Sequence, residues 1–133
     1  DGLTAESDIL QFLFKKSLQL VTLVNKIQSN THPKAVREAL KIISSRLFDD
    51  LKLDNLAKEI GISKDHLSLL FKKSFGVTIP QYIKSQRLAS AKDMLKRGMT
   101  LSEVAFTTGF STESYFIKCF KDEFGMTPGE FIK

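Results

Sequence analysis

The chain has 133 residues, 42% of them hydrophobic and eleven of them phenylalanine, which is enough apolar material for one domain with a real core and too much for a disordered segment. No run approaches the roughly 18 uninterrupted apolar residues of a membrane helix, no signal peptide is visible at the start, and a single cysteine excludes an intramolecular disulfide, so a soluble cytoplasmic protein is expected. The formal charge of +5 is unevenly placed: residues 1–33 carry three basic and three acidic side chains, whereas residues 34–133 carry 17 basic against 12 acidic.

Residues 7–29 read as one helix, with Ser7 at its start and Ile9, Leu13, Leu20, Leu23 and Ile27 recurring at four- and three-residue steps, a seam that Lys16 interrupts. Its apolar width, with Phe12, Phe14, Leu18, Val21 and Val24, exceeds a coiled-coil seam, so it is expected to pack on a neighbouring domain or on a second copy. Residues 1–33 are therefore expected to be the end of an upstream sensor or dimerisation region of a longer protein. The polar stretch 28–33 ends in Pro33, suited to the first turn of a new helix, and the domain boundary is placed there. A second helix is expected from Lys34 to Phe48, with Val36, Leu40, Ile43 and Leu47 on one side.

Beyond this helix the chain repeats itself. Leu53, Ala57, Gly61 and Ser63 recur 48 residues later as Leu101, Ala105, Gly109 and Ser111. Leu67, Phe71, Phe75 and Gly76 then recur 49 residues later as Phe116, Phe120, Phe124 and Gly125, so the second copy holds one extra residue in its turn or in the helix after it. Each residue type has a mechanical reason. The alanines let two helices cross closely, and Gly61 and Gly109 supply the left-handed backbone that ends the first helix. Ser63 and Ser111 sit where a side-chain oxygen can cap the next helix. Leu67, Leu70, Phe71 and Phe75, like Phe116, Cys119, Phe120 and Phe124, follow the rhythm of one buried helix face and leave the opposite face to meet a partner. Between the copies, Ile79 to Gly98 reads as one long helix opened by Pro80 and closed by Gly98, and at 1.5 Å per residue the 18 residues between those ends span roughly 27 Å. Two reading helices held that far apart reach successive major grooves, roughly 34 Å apart, if the DNA bends. The expected fold is all-α: two helix-turn-helix subdomains, each a homeodomain-like three-helix unit, joined by a long linker helix over residues 34–133, with an additional N-terminal helix before them.

This pattern resembles the C-terminal DNA-binding domain of the AraC/XylS family of bacterial transcription regulators. The resemblance covers residues 34–133 and rests on Leu56-Ala57, Gly61 to Ser63, Leu67, Leu70 to Lys73, Phe75-Gly76, Arg87-Leu88, Ala91, Leu95, Val104-Ala105, Gly109 to Ser111, Tyr115-Phe116, Phe120-Lys121, Phe124-Gly125 and Thr127-Pro128. It implies seven helices, with one recognition helix per motif in the major groove, and a regulator, commonly an activator, that binds near a promoter and touches RNA polymerase. The family's base-reading face falls on Lys64, Asp65, Ser68 and Leu69 in the first motif and on Thr112, Glu113, Ser114, Ile117 and Lys118 in the second. Leu69 departs from the polar or basic residue frequent there; it can press on a thymine methyl but cannot make the paired guanine contact of an arginine. Glu113 can accept from a cytosine amino group and would repel a nearby phosphate.

Lys72, Lys73 and Lys121 are candidates for phosphate contacts, against an ordinary reading as a solvated helix face. Tyr115, at the edge of the aromatic stripe, is a further candidate that could reach a sugar or phosphate with its hydroxyl. On the linker helix Arg87, Arg97 and Lys96 are weaker phosphate candidates, and Arg87 is equally open to bracing the two subdomains. The phenylalanine stripe is expected to be core and not a stacking platform for single strands. His66 beside Asp65 suggests a metal or catalytic site, but with only His32 and an inward-facing Cys119 besides it no zinc ligand set forms, and no phosphate loop, dinucleotide fingerprint or hydrolase elbow is present. No cofactor and no enzymatic activity are expected. The partners expected are double-stranded DNA and RNA polymerase, with a homodimer through the N-terminal helix or a further domain; the other reading open is a protein-interaction module that keeps the fold with lost DNA reading, favoured by Asp65, Leu69 and Glu113. An alkylation-response protein would need a reactive cysteine, which Cys119 does not resemble.

Overall fold

The computed structural model describes residues 32–133, so the helix expected over 7–29 lies outside the described residues. Among the described residues there are seven helices and no strand: α1 (Lys34–Ser45), α2 (Leu53–Ile60), α3 (Lys64–Phe75), α4 (Ile79–Lys96), α5 (Leu101–Thr107), α6 (Glu113–Phe124) and α7 (Pro128–Phe131). α1 stops three residues before the expected Phe48, and turns carry the chain from Arg46 to Phe48.

Caps set most of the boundaries. Ser63 accepts a hydrogen bond from the His66 N–H to start α3, and Thr78 accepts from Gln81 while the Gln81 side chain accepts one from the Thr78 N–H, with Pro80 in the first turn of α4. Thr100 and Glu103 form the same reciprocal pair ahead of α5. At the end of α2, Gly61 has φ +90°, and its N–H and that of Ile62 both bond back to the Ala57 carbonyl at 2.9 and 3.2 Å. The second motif repeats part of this closure, with Gly109 at φ +84° and the Phe110 N–H on the Ala105 carbonyl at 3.0 Å, but there the glycine N–H bonds to the Phe106 carbonyl at 3.2 Å.

The sequence expectation that Ser111 caps the second reading helix is corrected. Thr112 is the cap and accepts from the Tyr115 N–H at 3.0 Å, which leaves Ser111 in the turn. The extra residue of the second motif therefore lies in the turn; α3 and α6 are both 12 residues long.

Two buried clusters result, and they share no residue. Val36, Ala39, Ile43, Leu56, Ala57, Leu67, Phe71, Ile79 and Ile83 form the first; Leu88, Ala91, Leu95, Val104, Ala105, Phe116, Cys119 and Phe120 form the second. α4 thus serves both: its first turns finish the core of α1, α2 and α3, and its later turns begin the core of α5 and α6. Leu70, Phe75 and Phe124 are half-buried at the rims of these clusters. Edge-on and tilted ring contacts knit the second core, with Phe116 to Phe120 at 5.8 Å, Phe120 to Phe124 at 4.6 Å and Phe120 to Phe131 at 5.8 Å between centroids. The aromatic stripe is core, as its spacing implied.

Candidate nucleic-acid interface

In each unit the face of the second helix opposite the core is open. Along α3, Lys64, Asp65, Leu69, Lys72 and Lys73 are exposed and Ser68 is half-buried, while Leu67 and Phe71 point into the core. Asp65, Ser68, Leu69, Lys72 and Lys73 come together with Thr78 around one shallow hollow. Leu69 is 67% exposed, so its side chain is open to a partner. Lys72 and Lys73 occupy the last turn of α3, where the helix dipole favours positive charge.

The face of α6 is its counterpart. Glu113, Ser114, Lys118 and Lys121 are exposed, Ile117 is half-buried and packs against the second core, and Thr112 is committed as the helix cap. Tyr115 is 47% exposed, with its ring 6.0 Å from that of Phe110. Interaction with the Cys119 side chain, one turn along, raises its phenol pKa above the ordinary value. Arg97 is exposed at the end of α4, on a different element from the other phosphate candidates. His66 is exposed in the first turn of α3, and among the described residues no group of three or more His, Cys, Asp or Glu is placed to hold a metal ion.

Two contacts absent from the sequence reading tie the start of each reading helix to the helix before it. Lys64, first in α3, pairs with Asp54, second in α2, at 3.7 Å; Glu113, first in α6, accepts a 2.7 Å hydrogen bond from the hydroxyl of Ser102, second in α5. These are the same two positions in the repeat. The repeat sets Asp54 against Ser102 and Lys64 against Glu113, which marks the positions as equivalent but carries no sign that Lys64 meets Asp54 or that Glu113 meets Ser102. The Glu113 carboxylate is thereby held by its own unit, which limits its freedom to reach a base edge.

Arg87 lies between the units. Its Nε donates to the Leu47 carbonyl at 2.8 Å and its Nη2 to the Asp49 carbonyl at 2.6 Å, so the bracing alternative is the one the geometry carries. Burial lowers the guanidinium pKa and the neighbouring Asp50 and Asp49 carboxylates act against that shift; the group keeps its charge. A cleft of about 400 Å³ opens beside it, lined by Asp50, Lys84 and Arg87 on one side and by Phe110, Ser111 and Tyr115 on the other.

A helix-turn-helix domain family matches residues 56–133, more than half of the chain. The chain is 30% identical to the regulatory protein PocR of Salmonella typhimurium (strain LT2) over 139 aligned residues, covering 93% of this chain and 46% of that protein. It is 32% identical over 108 residues to the Msm operon regulatory protein of Streptococcus mutans, covering 80% of this chain and 39% of that one. The chain thus spans less than half the length of these two relatives. Among solved structures, the C-terminal domain of AraT, a response regulator from Geobacillus stearothermophilus, superposes with a TM-score of 0.71 at 25% identity, over 75% of this chain and 84% of that one. Two helix-turn-helix units on a shared linker helix, with outward second helices, define a DNA-binding regulator domain. The chain belongs to the AraC-type helix-turn-helix family of transcription regulators. Among the described residues no helix is long and apolar enough to cross a membrane.

Proposed function

We propose that residues 34–133 bind duplex DNA sequence-specifically, with α3 and α6 in successive major grooves, and that the protein activates transcription from such a site through contact with RNA polymerase. The observation that carries this reading is the doubling of one geometry: both units bury one face of the second helix and leave the other open, and lysine closes both helices. In this reading Ser68, Leu69, Ser114, Ile117 and Lys118 lie towards base edges, with Leu69 set for a thymine methyl. Lys64, Asp65, Thr112 and Glu113 sit at the helix starts and face the groove, and Lys64, Thr112 and Glu113 also hold their helices through Asp54, the α6 cap and Ser102. Lys72, Lys73, Lys121, Tyr115 and Arg97 take the phosphates, which supplies affinity without sequence preference. Residues 1–33 belong, in the same proposal, to an upstream sensing or dimerising region, and the protein works in the cytoplasm without a cofactor or a catalytic step.

The test is selection of sites from a randomised duplex pool, followed by titration of the winner and a scrambled duplex across salt concentrations. Four basic contacts, from Lys72, Lys73, Lys121 and Arg97, predict a slope of log K against log salt of about −3.6. Reversing the charge at Lys72 and Lys121 should weaken every duplex and flatten that slope. Equal binding to all duplexes at moderate salt sinks the sequence-specific reading.

A further inference from the structure

α4 passes from one core to the other at a single place. Ile83 is its last residue in the first cluster, Leu88 is its first in the second, and Arg87 stands directly before Leu88. A lone helix resists bending but leaves two small bodies free to rock about it, because no buried side chain belongs to both cores. What restrains them is local. The Leu47 and Asp49 carbonyls, in the stretch that leaves α1, accept the two hydrogen bonds of Arg87. The carbonyl between them, that of Phe48, faces Gly109 in the turn of the second unit: a Cβ on Gly109 would lie 3.2 Å from the Phe48 oxygen and 3.3 Å from the Arg87 Cζ. Three consecutive carbonyls of the first unit, one guanidinium on the shared helix and one side-chain-free turn of the second unit therefore meet at one point. Planar, multiply donating and permanently charged, a guanidinium fits this seat as no other side chain does.

We propose that Arg87, seated on the Leu47 and Asp49 carbonyls against Gly109, is a positioning residue that fixes the angle between the two reading units and so sets the spacing between the two DNA boxes the protein accepts. This rests on the two-groove reading of α3 and α6. A fixed angle matters because the gain from linking two binding modules is lost when their geometry does not match both sites at once. A merely stabilising arginine would change how much protein is folded and leave the preferred spacing untouched.

The experiment selects from duplexes carrying both boxes with a randomised spacer, using the wild-type chain and Arg87→Met, which keeps the apolar stem and removes the donors. The wild type should enrich one spacer length. Arg87→Met should enrich the same boxes over a broadened range of spacers, with single-box affinity changed less than about twofold. Its affinity at the preferred spacing should fall on the order of tenfold, a part of the roughly 10²–10⁴-fold that linkage can supply. If Arg87→Met fails to fold, Arg87→Lys, which keeps the charge but lacks the planar fork that spans the two carbonyls, takes its place with a smaller broadening. A second readout needs no DNA. Spin labels at Lys41→Cys on α1 and Asp122→Cys on α6, both exposed, in a Cys119→Ala background should give a narrow distance distribution that the Arg87 variant widens. An unchanged spacer preference or an unchanged distance distribution in the variant overturns the inference, as does a wild type indifferent to spacing. Failure of the wild type to select any two-box site is different: it removes the two-groove reading, and the spacing role falls with it.

Discussion

The two helix-turn-helix units solve the same packing problem with different side chains. At matched positions Leu56 and Val104, Leu67 and Phe116, Leu70 and Cys119, and Phe71 and Phe120 occupy equivalent places around the paired alanines Ala57 and Ala105. The second unit gains a ring where the first has Leu67 and gives up volume at Val104 and Cys119. Cores tolerate such exchanges when the total volume and the pattern are kept. The repeat also reaches further than its loudest residues. Val36, Ala39 and Ile43 on α1 bury the same three- and four-step face as Leu88, Ala91 and Leu95 on α4, with an alanine again in the middle. Each unit is then closed by a capped turn: Thr78 accepts from Gln81 and Thr127 accepts from Glu130. What is common to both units is frame, and what differs is where they can differ in behaviour.

The largest effect should come from emptying one core and leaving the other intact. Phe71 and Phe120 are each fully buried at matched positions, and truncation to alanine should cost about 3–5 kcal/mol in each case. Hydrogen exchange distinguishes the units. Phe71→Ala should remove protection from α1, α2 and α3 while α5 and α6 keep most of theirs, and Phe120→Ala should do the reverse. Equal loss of protection across both units would mean that α4 couples them into one cooperative block.

The two turns offer a sharper contrast. Gly61 and Gly109 both hold a positive φ, so alanine at either should cost about 1–2 kcal/mol in backbone strain. At Gly61 the new methyl meets open space, whereas at Gly109 it meets the Phe48 carbonyl and the Arg87 guanidinium. Gly109→Ala should therefore lower the melting temperature distinctly more than Gly61→Ala, and equal shifts would show that the junction between the units yields easily. Smaller again is the cap. Thr112→Ala should cost about 1 kcal/mol, as should Ser63→Ala in the first unit. Ser111→Ala should stay within about 0.5 kcal/mol in a urea titration.

That last pair also marks where the sequence stops being legible. The frame is readable because its residues are chemically narrow: a glycine that must take a positive φ, an alanine at a close crossing, phenylalanines at helical spacing. Ser111 and Thr112 are adjacent hydroxyl residues after the same turn, and both can accept from a backbone N–H. Only the path of the turn, lengthened by one residue, puts Thr112 at the helix start. The match between α1 and α4 was obscured because the links after them differ in length, residues 46–52 against 97–100, and shift the register. The outward faces of α3 and α6 are dictated by the buried stripe, so the positions of Leu69 and Lys118 were accessible from the sequence. The partners of Lys64, Glu113 and Arg87 were not, because each is fixed by how one element lies on another. Arg87 reaches back about 40 positions to backbone carbonyls, which carry no side-chain signature at all.

A small effect separates the units by charge. Asp54 and Lys64 are largely exposed at 3.7 Å, so their pairing should be worth no more than about 0.2–1 kcal/mol and should fade as salt screens it. Ser102 and Glu113 make one short hydrogen bond at 2.7 Å, for which about 0.5–1.5 kcal/mol is reasonable and which depends on contact and not on a long-range field. Asp54→Asn and Ser102→Ala should thus destabilise by similar small amounts at low salt and diverge as salt is added, the first penalty shrinking and the second persisting. Stability measured by urea titration at low and at roughly molar salt reads the difference. If both penalties vanish together, the two positions are equivalent electrostatic braces and the hydroxyl has no special part. If the Ser102→Ala penalty persists, the second unit holds its reading helix by a contact that salt does not loosen. The grip of the first unit on its own helix would then weaken as salt rises while that of the second does not.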